Sequence, residues 1–214
     1  MGKCPGPGLG IPGISGTHRR DIPQNLKTGL RAAMRAIARI IYERILGWNL
    51  VGEFPQLDKY VVAVAPHTSN WDFFIGLLVR TLSGVRINYI GKKSLFRPPF
   101  GWFFRYTGGA PVDRRRNADT VRAIAALFRE RAEFRLGLSP EGTRKPVPAW
   151  RTGFYYIAME AGVPIVFAAL DYGKKQVRLS EPFYPTGQYA QDLEIYHAFF
   201  RGVRGKNPEN GYPA

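Results

Sequence analysis

The stretch Tyr60-Val61-Val62-Ala63-Val64-Ala65-Pro66-His67-Thr68-Ser69-Asn70-Trp71-Asp72-Phe73-Phe74 changes character twice. Its first part is a β-branched, apolar run, the pattern of a strand. Proline and a polar cluster then break it, and the apolar run from Phe73 to Leu82 resumes at helical length. The spacing predicts a strand over 59–65 and a helix over 71–83, with Ser69 or Asn70 as N-cap. His67 and Asp72 stand five residues apart, which is about 140° around a straight helix, so they cannot share a helix face. They can meet only if His67 lies on the loop and Asp72 in the first helical turn. A carboxylate on one ring nitrogen fixes the tautomer and frees the other nitrogen to take a proton from a substrate hydroxyl. The plainer alternative is a loop histidine that caps a backbone group.

Outward from this stretch the alternation continues. Val85–Ile90 is predicted as a second strand, Gly108–Val112 as a short strand opening into Asp113-Arg114-Arg115-Arg116, and 118–132 as a helix. Phe134–Leu138 is a strand running into Ser139-Pro140-Glu141-Gly142-Thr143-Arg144, followed by a helix over 151–161 and a strand over 164–170. A weaker strand over 176–179 and a helix over 188–202 complete the chain. Strands alternating with helices predict an α/β fold with a mixed, partly parallel sheet flanked by helices. Leu95 to Phe104 is aromatic and broken by Pro98-Pro99. It reads either as a kinked core segment or as the wall of an acyl groove or a membrane-contacting lobe.

Toward the N-terminus, residues 1–24 are rich in Gly and Pro and are expected to be a disordered arm. Residues 25–47 read as an amphipathic interfacial helix. Leu26, Leu30, Met34, Ile37, Ile41 and Ile45 form its apolar stripe, and Lys27, Arg31, Arg35 and Arg39 lie along an adjacent face. Such a helix suits a membrane surface, or it packs its apolar stripe on the domain with its basic face in water. Residues 48–214 are then one domain.

With 31 Lys and Arg against 16 Asp and Glu, the net charge is +15, which implies an anionic partner. The lone Cys4 excludes an intramolecular disulfide framework and a cysteine metal cage. Neither a spanning apolar run nor a signal-peptide core is apparent. Met1-Gly2 hints at lipidation, but Gly6 stands where Ser or Thr is wanted.

Three loops follow strands: His67 to Asp72, Asp113 to Arg116, and Glu141 to Arg144. Where strands are parallel, such loops gather around one crevice. Arginines bind phosphate through paired donors, Gly142 allows close backbone approach, and Lys92 or Lys93 adds a point charge.

These blocks resemble the lysophosphatidic acid acyltransferase family of glycerolipid acyltransferases. The first, His-x-x-x-x-Asp, is matched by His67 and Asp72. The second, ending in Asp-Arg, is matched by Gly108, Val112, Asp113 and Arg114. The third is Pro140-Glu141-Gly142-Thr143-Arg144, and the fourth is Val163-Pro164-Ile165-Val166. Ala110 and Pro111 depart from the second block and Phe167 from the fourth. The resemblance implies transfer of a fatty acyl group from acyl-CoA or acyl carrier protein to a lysophospholipid hydroxyl, most simply that of 1-acylglycerol 3-phosphate. His67 would be the general base and Asp72 its orienting partner. Lys92, Arg114 and Arg144 would hold the acceptor's phosphate, and Glu141, Gly142 and Thr143 would shape that site.

Neither metal nor cofactor is expected beyond the thioester substrate. The family implies peripheral association with the cytoplasmic face of the cell membrane. Only 25–47 stands where the family has a longer helical anchor. Two other readings are another lyso-lipid acceptor, such as a lyso-ornithine lipid, and a non-catalytic basic protein binding membrane or nucleic acid. No nucleic-acid motif supports the last.

Overall fold

The structure, a computed structural model, describes residues 24–112 and 117–211. Of the Gly/Pro-rich arm expected over 1–24, residues 1–23 lie outside the described residues, as do 113–116, while Gln24 opens the first helix. Helix α1 (Gln24–Arg39) continues into a π-helical turn over Ile40–Ile45. Then come β1 (Asn49–Val51), β2 (Lys59–Ala65), α2 (Trp71–Ser83), β3 (Asn88–Lys92), α3 (Gly101–Tyr106) and β4 (Gly109–Val112). The rest is α4 (Asn117–Glu130), β5 (Phe134–Leu138), α5 (Gly153–Ala161), β6 (Ile165–Asp171), β7 (Gln176–Leu179) and α6 (Tyr189–Phe200).

Among the described residues the strands form a seven-stranded sheet in the order β1-β7-β6-β2-β5-β3-β4. From β6 to β4 every neighbour is parallel, and β1 is parallel to β7. The pair β6 and β7 is antiparallel, which makes the sheet mixed. Alternation along β2 feeds two cores. Val61, Ala63 and Ala65 pack with Phe128, Phe154 and Ile157 of α4 and α5 on one face. Tyr60 and Val62 pack with Ile75 and Val79 of α2 and with Tyr42 and Trp48 on the other. Strand β6 is buried along its whole length, which is why it reads as an unbroken apolar run.

Two departures from expectation have identifiable reasons. Gly84 (φ +69°) closes α2, and Val85 and Ile87 pack into the core as a connection. The ladder to β5 and β4 begins only at Asn88. The short β1 escapes sequence reading because it has three residues and both end positions are exposed. Within the aromatic run Phe96 is buried, while Phe100, just before α3, and Trp102 on it are exposed.

Of the apolar stripe on the first helix, Leu30, Met34, Ile37 and Ile45 are exposed and Ile41 is half-buried, while Ala38 and Tyr42 are buried and Arg35 meets the domain. Arg35 lies so close over Gly84, at the C-terminal end of α2, that a Cβ there would collide with its guanidinium. That position is electrostatically favourable for a cation. No helix of the described residues is long and apolar enough to cross a membrane.

Candidate active site

Because β2, β5, β3 and β4 run parallel, their C-terminal ends share one edge of the sheet. Ala65, Leu138, Lys92 and Val112 are the last residues of those strands, and the first and third sequence blocks begin just beyond β2 and β5, while the second runs along β4. The fourth block, Val163 to Val166, lies instead at the opposite edge, where it leads into the start of β6.

Asp72 is the second residue of α2, and His67 lies on the loop before it. Nδ1 of His67 stands 3.0 Å from Oδ2 of Asp72. The same oxygen accepts the backbone N–H groups of Thr68 and Ser69, each at 2.8 Å. Asn70 occupies the predicted cap position but makes no side-chain cap bond. The carboxylate two residues on does that work for the loop instead. Oδ1 accepts the hydroxyl of Tyr172 at 2.8 Å. Asp72 is only 4% exposed, and four donors offset the cost of burying its charge. Burial above all, and then the bond to Asp72, push the Tyr172 phenol well above the usual tyrosine range. It therefore stays protonated and donates. The edge of Trp48 packs on the Tyr172 ring at 4.8 Å, fixing its orientation.

The first and third blocks meet directly. The backbone N–H of His67 donates to Oε2 of Glu141 at 2.5 Å, and Glu141 is fully buried. Gly142 has φ +63°, and a Cβ there would lie 2.8 Å from Cδ of Arg151. Glycine is required twice over, for the left-handed backbone and for the arginine lying across it. Arg151 is itself held by its N–H to the carbonyl of Pro140 at 2.8 Å. Thr143 uses its hydroxyl to accept the Lys145 N–H at 3.3 Å, which rigidifies the turn. Arg144 is exposed on that turn.

Lys92 ends β3, paired with Val112 of β4. Arg114 lies outside the described residues, two positions beyond β4. Strand spacing puts the end of β4 about 14 Å from that of β2, three strands across the sheet.

A second support was not foreseen. Residues 204–207 cross the histidine loop from outside. The amide nitrogens of Asn207, backbone and side chain, donate to Oγ1 and the carbonyl of Thr68 at 3.2 and 3.0 Å. A Cβ on Gly205 would fall 2.7 Å from Thr68 Oγ1, so glycine lets the segment lie flat. Arg204 accepts the N–H of Tyr172 at 2.8 Å, joining this segment to the residue that holds Asp72. Tyr172, Arg151 and Asn207 belong to no block, and no sequence signal distinguishes them. Among the described residues no cluster of His, Cys, Asp and Glu is disposed to hold a metal ion.

Three comparisons bear on this arrangement. A family model described as Acyltransferase matches residues 49–170. The 1-acyl-sn-glycerol-3-phosphate acyltransferase of Salmonella typhimurium is 29% identical over 126 residues, 56% of this chain and 50% of that protein. That of Haemophilus influenzae is 31% identical over 134 residues, 57% of this chain and 53% of that protein. The chain thus spans about half the length of the curated relatives it matches. The crystal structure of the 1-acyl-sn-glycerophosphate (LPA) acyltransferase PlsC from Thermotoga maritima shares the fold. Its TM-score is 0.53 at 19% identity, over 84% of this chain and 79% of that one.

Proposed function

The chain belongs to the acyltransferase family, and from that premise we propose that it moves a fatty acyl group from a thioester to the free hydroxyl of a lysophospholipid. The acceptor is 1-acylglycerol 3-phosphate and the product phosphatidic acid. The donor is acyl-CoA or acyl carrier protein.

One observation carries the reading. Nδ1 of His67 is tied to a buried, four-fold-held carboxylate while the side chain remains partly open to solvent. That fixes the imidazole with Nε2 as the nitrogen that takes a proton. The acceptor hydroxyl gives its proton to Nε2 as its oxygen attacks the thioester carbonyl, and Asp72 stabilises the imidazolium that forms. The tetrahedral intermediate collapses, the carbon–sulfur bond breaks, and the proton passes from His67 to the thiolate. The attack is direct, so the protein needs no nucleophile of its own.

Arg144, with Arg114 and Lys92, supplies cations for the acceptor's phosphate, and Glu141, Gly142 and Thr143 set the shape of the turn that carries Arg144. The exposed apolar stripe of α1, flanked by arginines, rests in an anionic membrane surface, so the protein works as a peripheral membrane enzyme on the cytoplasmic face.

The test is release of free thiol by the purified protein in mixed micelles containing lysophosphatidic acid, with phosphatidic acid identified by mass. His67→Ala should lower kcat by about 10²–10⁴-fold, the usual worth of a general base. Near-wild-type turnover by that variant would sink the assignment.

A further inference from the structure

The aromatic lobe around α3 and the start of α2 form a second apolar surface, separate from α1. Trp71 and Phe74 are exposed on α2, and Phe100, Trp102 and Tyr106 are exposed on and beside α3. Trp71, Phe74 and Trp102 are joined beneath by ring contacts. Trp71 meets Phe74 at 5.8 Å, Phe74 meets Phe73 at 5.9 Å, and Phe73 meets Phe104 at 5.8 Å. Phe104 continues through Phe103 to Trp102 at 5.6 and 6.1 Å. The rings therefore make one continuous sheet of aromatic surface. Trp102 is 69% exposed and Tyr106 76%, far more than rings of that size keep in water without a partner.

Charge identifies the partner. From Phe73 to Val112 the chain contains no Asp or Glu, yet it carries Arg80, Arg86, Lys92, Lys93, Arg97 and Arg105. Arg97 and Arg105 are exposed beside the rings, and Nζ of Lys206 sits 4.5 Å over the Trp71 ring. From Gln24 to Tyr42, along α1, acidic residues are equally absent. Tryptophan and tyrosine with basic neighbours and no acid suit the headgroup region of an anionic bilayer. An apolar protein partner would not require the exclusion of carboxylates from both segments.

We infer that this aromatic face is a second membrane contact, which seats the α2–α3 lobe in the surface of an anionic bilayer. Its first ring, Trp71, is the neighbour of Asp72, so docking brings the mouth of the His67 loop to the lipid. A lysolipid acceptor then reaches Nε2 without leaving the membrane. The last step rests on the acyl-transfer reading; the docking itself does not.

The intrinsic tryptophans provide the test. Trp48 and Trp150 are buried, at 5% and 7% exposure, whereas Trp71 and Trp102 lie on the face. The full chain is mixed with vesicles of phosphatidylcholine and phosphatidylglycerol whose acyl chains carry bromine, which quenches tryptophan on contact. Quenching should remove part of the emission, and Trp71→Phe and Trp102→Phe should each remove a share of the quenchable part. Phe100→Glu with Trp102→Glu should weaken partitioning on the order of tenfold or more. Turnover of a short-chain, water-soluble lysophosphatidic acid should be unchanged in that variant.

Bound protein whose Trp71 and Trp102 emission is unquenched would overturn the inference and leave α1 as the contact. So would a dimer without vesicles that the double variant converts to monomer, because the face would then belong to a second copy. A wild type that docks as described yet turns over no acceptor would sink the acyl-transfer reading and leave the surface standing.

Discussion

Tyr172 and Asp72 are a hundred residues apart in the chain, yet the phenol of one donates to Oδ1 of the other at 2.8 Å. The bond fills the side of the carboxylate that His67 does not use. With Oδ2 taken by His67, Thr68 and Ser69, the carboxylate plane cannot rotate. Tyr172 is therefore a positioning residue, acting on the histidine through Asp72.

Removing that hydroxyl should loosen the carboxylate without emptying the site. Tyr172→Phe keeps the ring against Trp48 and leaves three donors on Oδ2. A hydrogen bond to a charged acceptor is worth roughly 1.5–3 kcal/mol, so kcat should fall about 10–100-fold if the bond matters in the transition state. KM for the acceptor should stay within a factor of about two, because Tyr172 is not placed to touch it. Steady-state kinetics at saturating thioester decide this. A drop confined to KM would place Tyr172 in substrate binding instead.

The glycine of the third block carries two separable costs. Gly142→Ala must adopt φ +63° and must push aside Arg151. The first costs about 1–2 kcal/mol for an L-residue. The second disappears if the arginine is shortened. Urea unfolding of Gly142→Ala, Arg151→Ala and the double variant should therefore show the two changes to be non-additive, with the double variant more stable than their sum. Strict additivity would mean that the side chain of Arg151 does not lie over the turn.

How much of this was written in the sequence follows from distance along the chain. Strands β2, β5 and β7 and helix α2 were legible to the residue, because each is a short apolar or periodic run ended by Gly, Pro or a polar cluster. The meeting of His67 with Asp72 was legible because five residues spanning a helix start admit one arrangement. Glu141 stood out in the sequence as part of the third block, but its acceptance of the His67 N–H did not, because that pairing depends on β2 and β5 lying side by side. Tyr172 and Asn207 approach the loop from 100 and 139 residues away and carry no local signature. Orientation was also hidden in α1. An apolar stripe beside a basic one has the same periodicity whether the stripe faces a core or a lipid surface, and the residues that meet the domain, Ala38, Tyr42 and Arg35, carry no shared signature.

Alkaline pH should unfold the protein earlier than its size alone suggests. Burial pushes the Tyr60 phenol up to about 12, and burial with the Asp72 bond pushes Tyr172 higher still. A phenol whose folded value is raised adds stability that is whole below its unfolded value near 10 and is lost as pH rises toward the folded one. The window is therefore about pH 10 to 12 for Tyr60. The slope is at most about 1.4 kcal/mol per pH unit for each phenol that ionises only on unfolding. Urea midpoints across this range should fall less steeply for Tyr60→Phe. Among the described residues the buried Tyr60 hydroxyl has no hydrogen-bond partner, so that variant should cost little at neutral pH. An unchanged slope would show that Tyr60 ionises in the folded protein.

The acceptor is best identified through the arginines rather than the histidine. On the proposed mechanism every acyl acceptor needs a base at its hydroxyl, so His67→Ala should lower transfer to all of them alike. Only an acceptor with a phosphate needs a guanidinium, and Arg144 stands on the same turn as Glu141, which holds the histidine loop. Arg144→Ala should lower kcat/KM for lysophosphatidic acid about 10–100-fold, the worth of one charge-assisted bond. Transfer to a lyso-ornithine lipid, which lacks phosphate, should be nearly unaffected. Arg114→Ala should follow the same pattern if the loop after β4 reaches the same phosphate. Parallel assays with both acceptors measure the difference directly. Equal losses on the two acceptors would mean that Arg144 shapes the turn and does not bind phosphate, leaving the charge requirement to the β3 and β4 ends of the sheet.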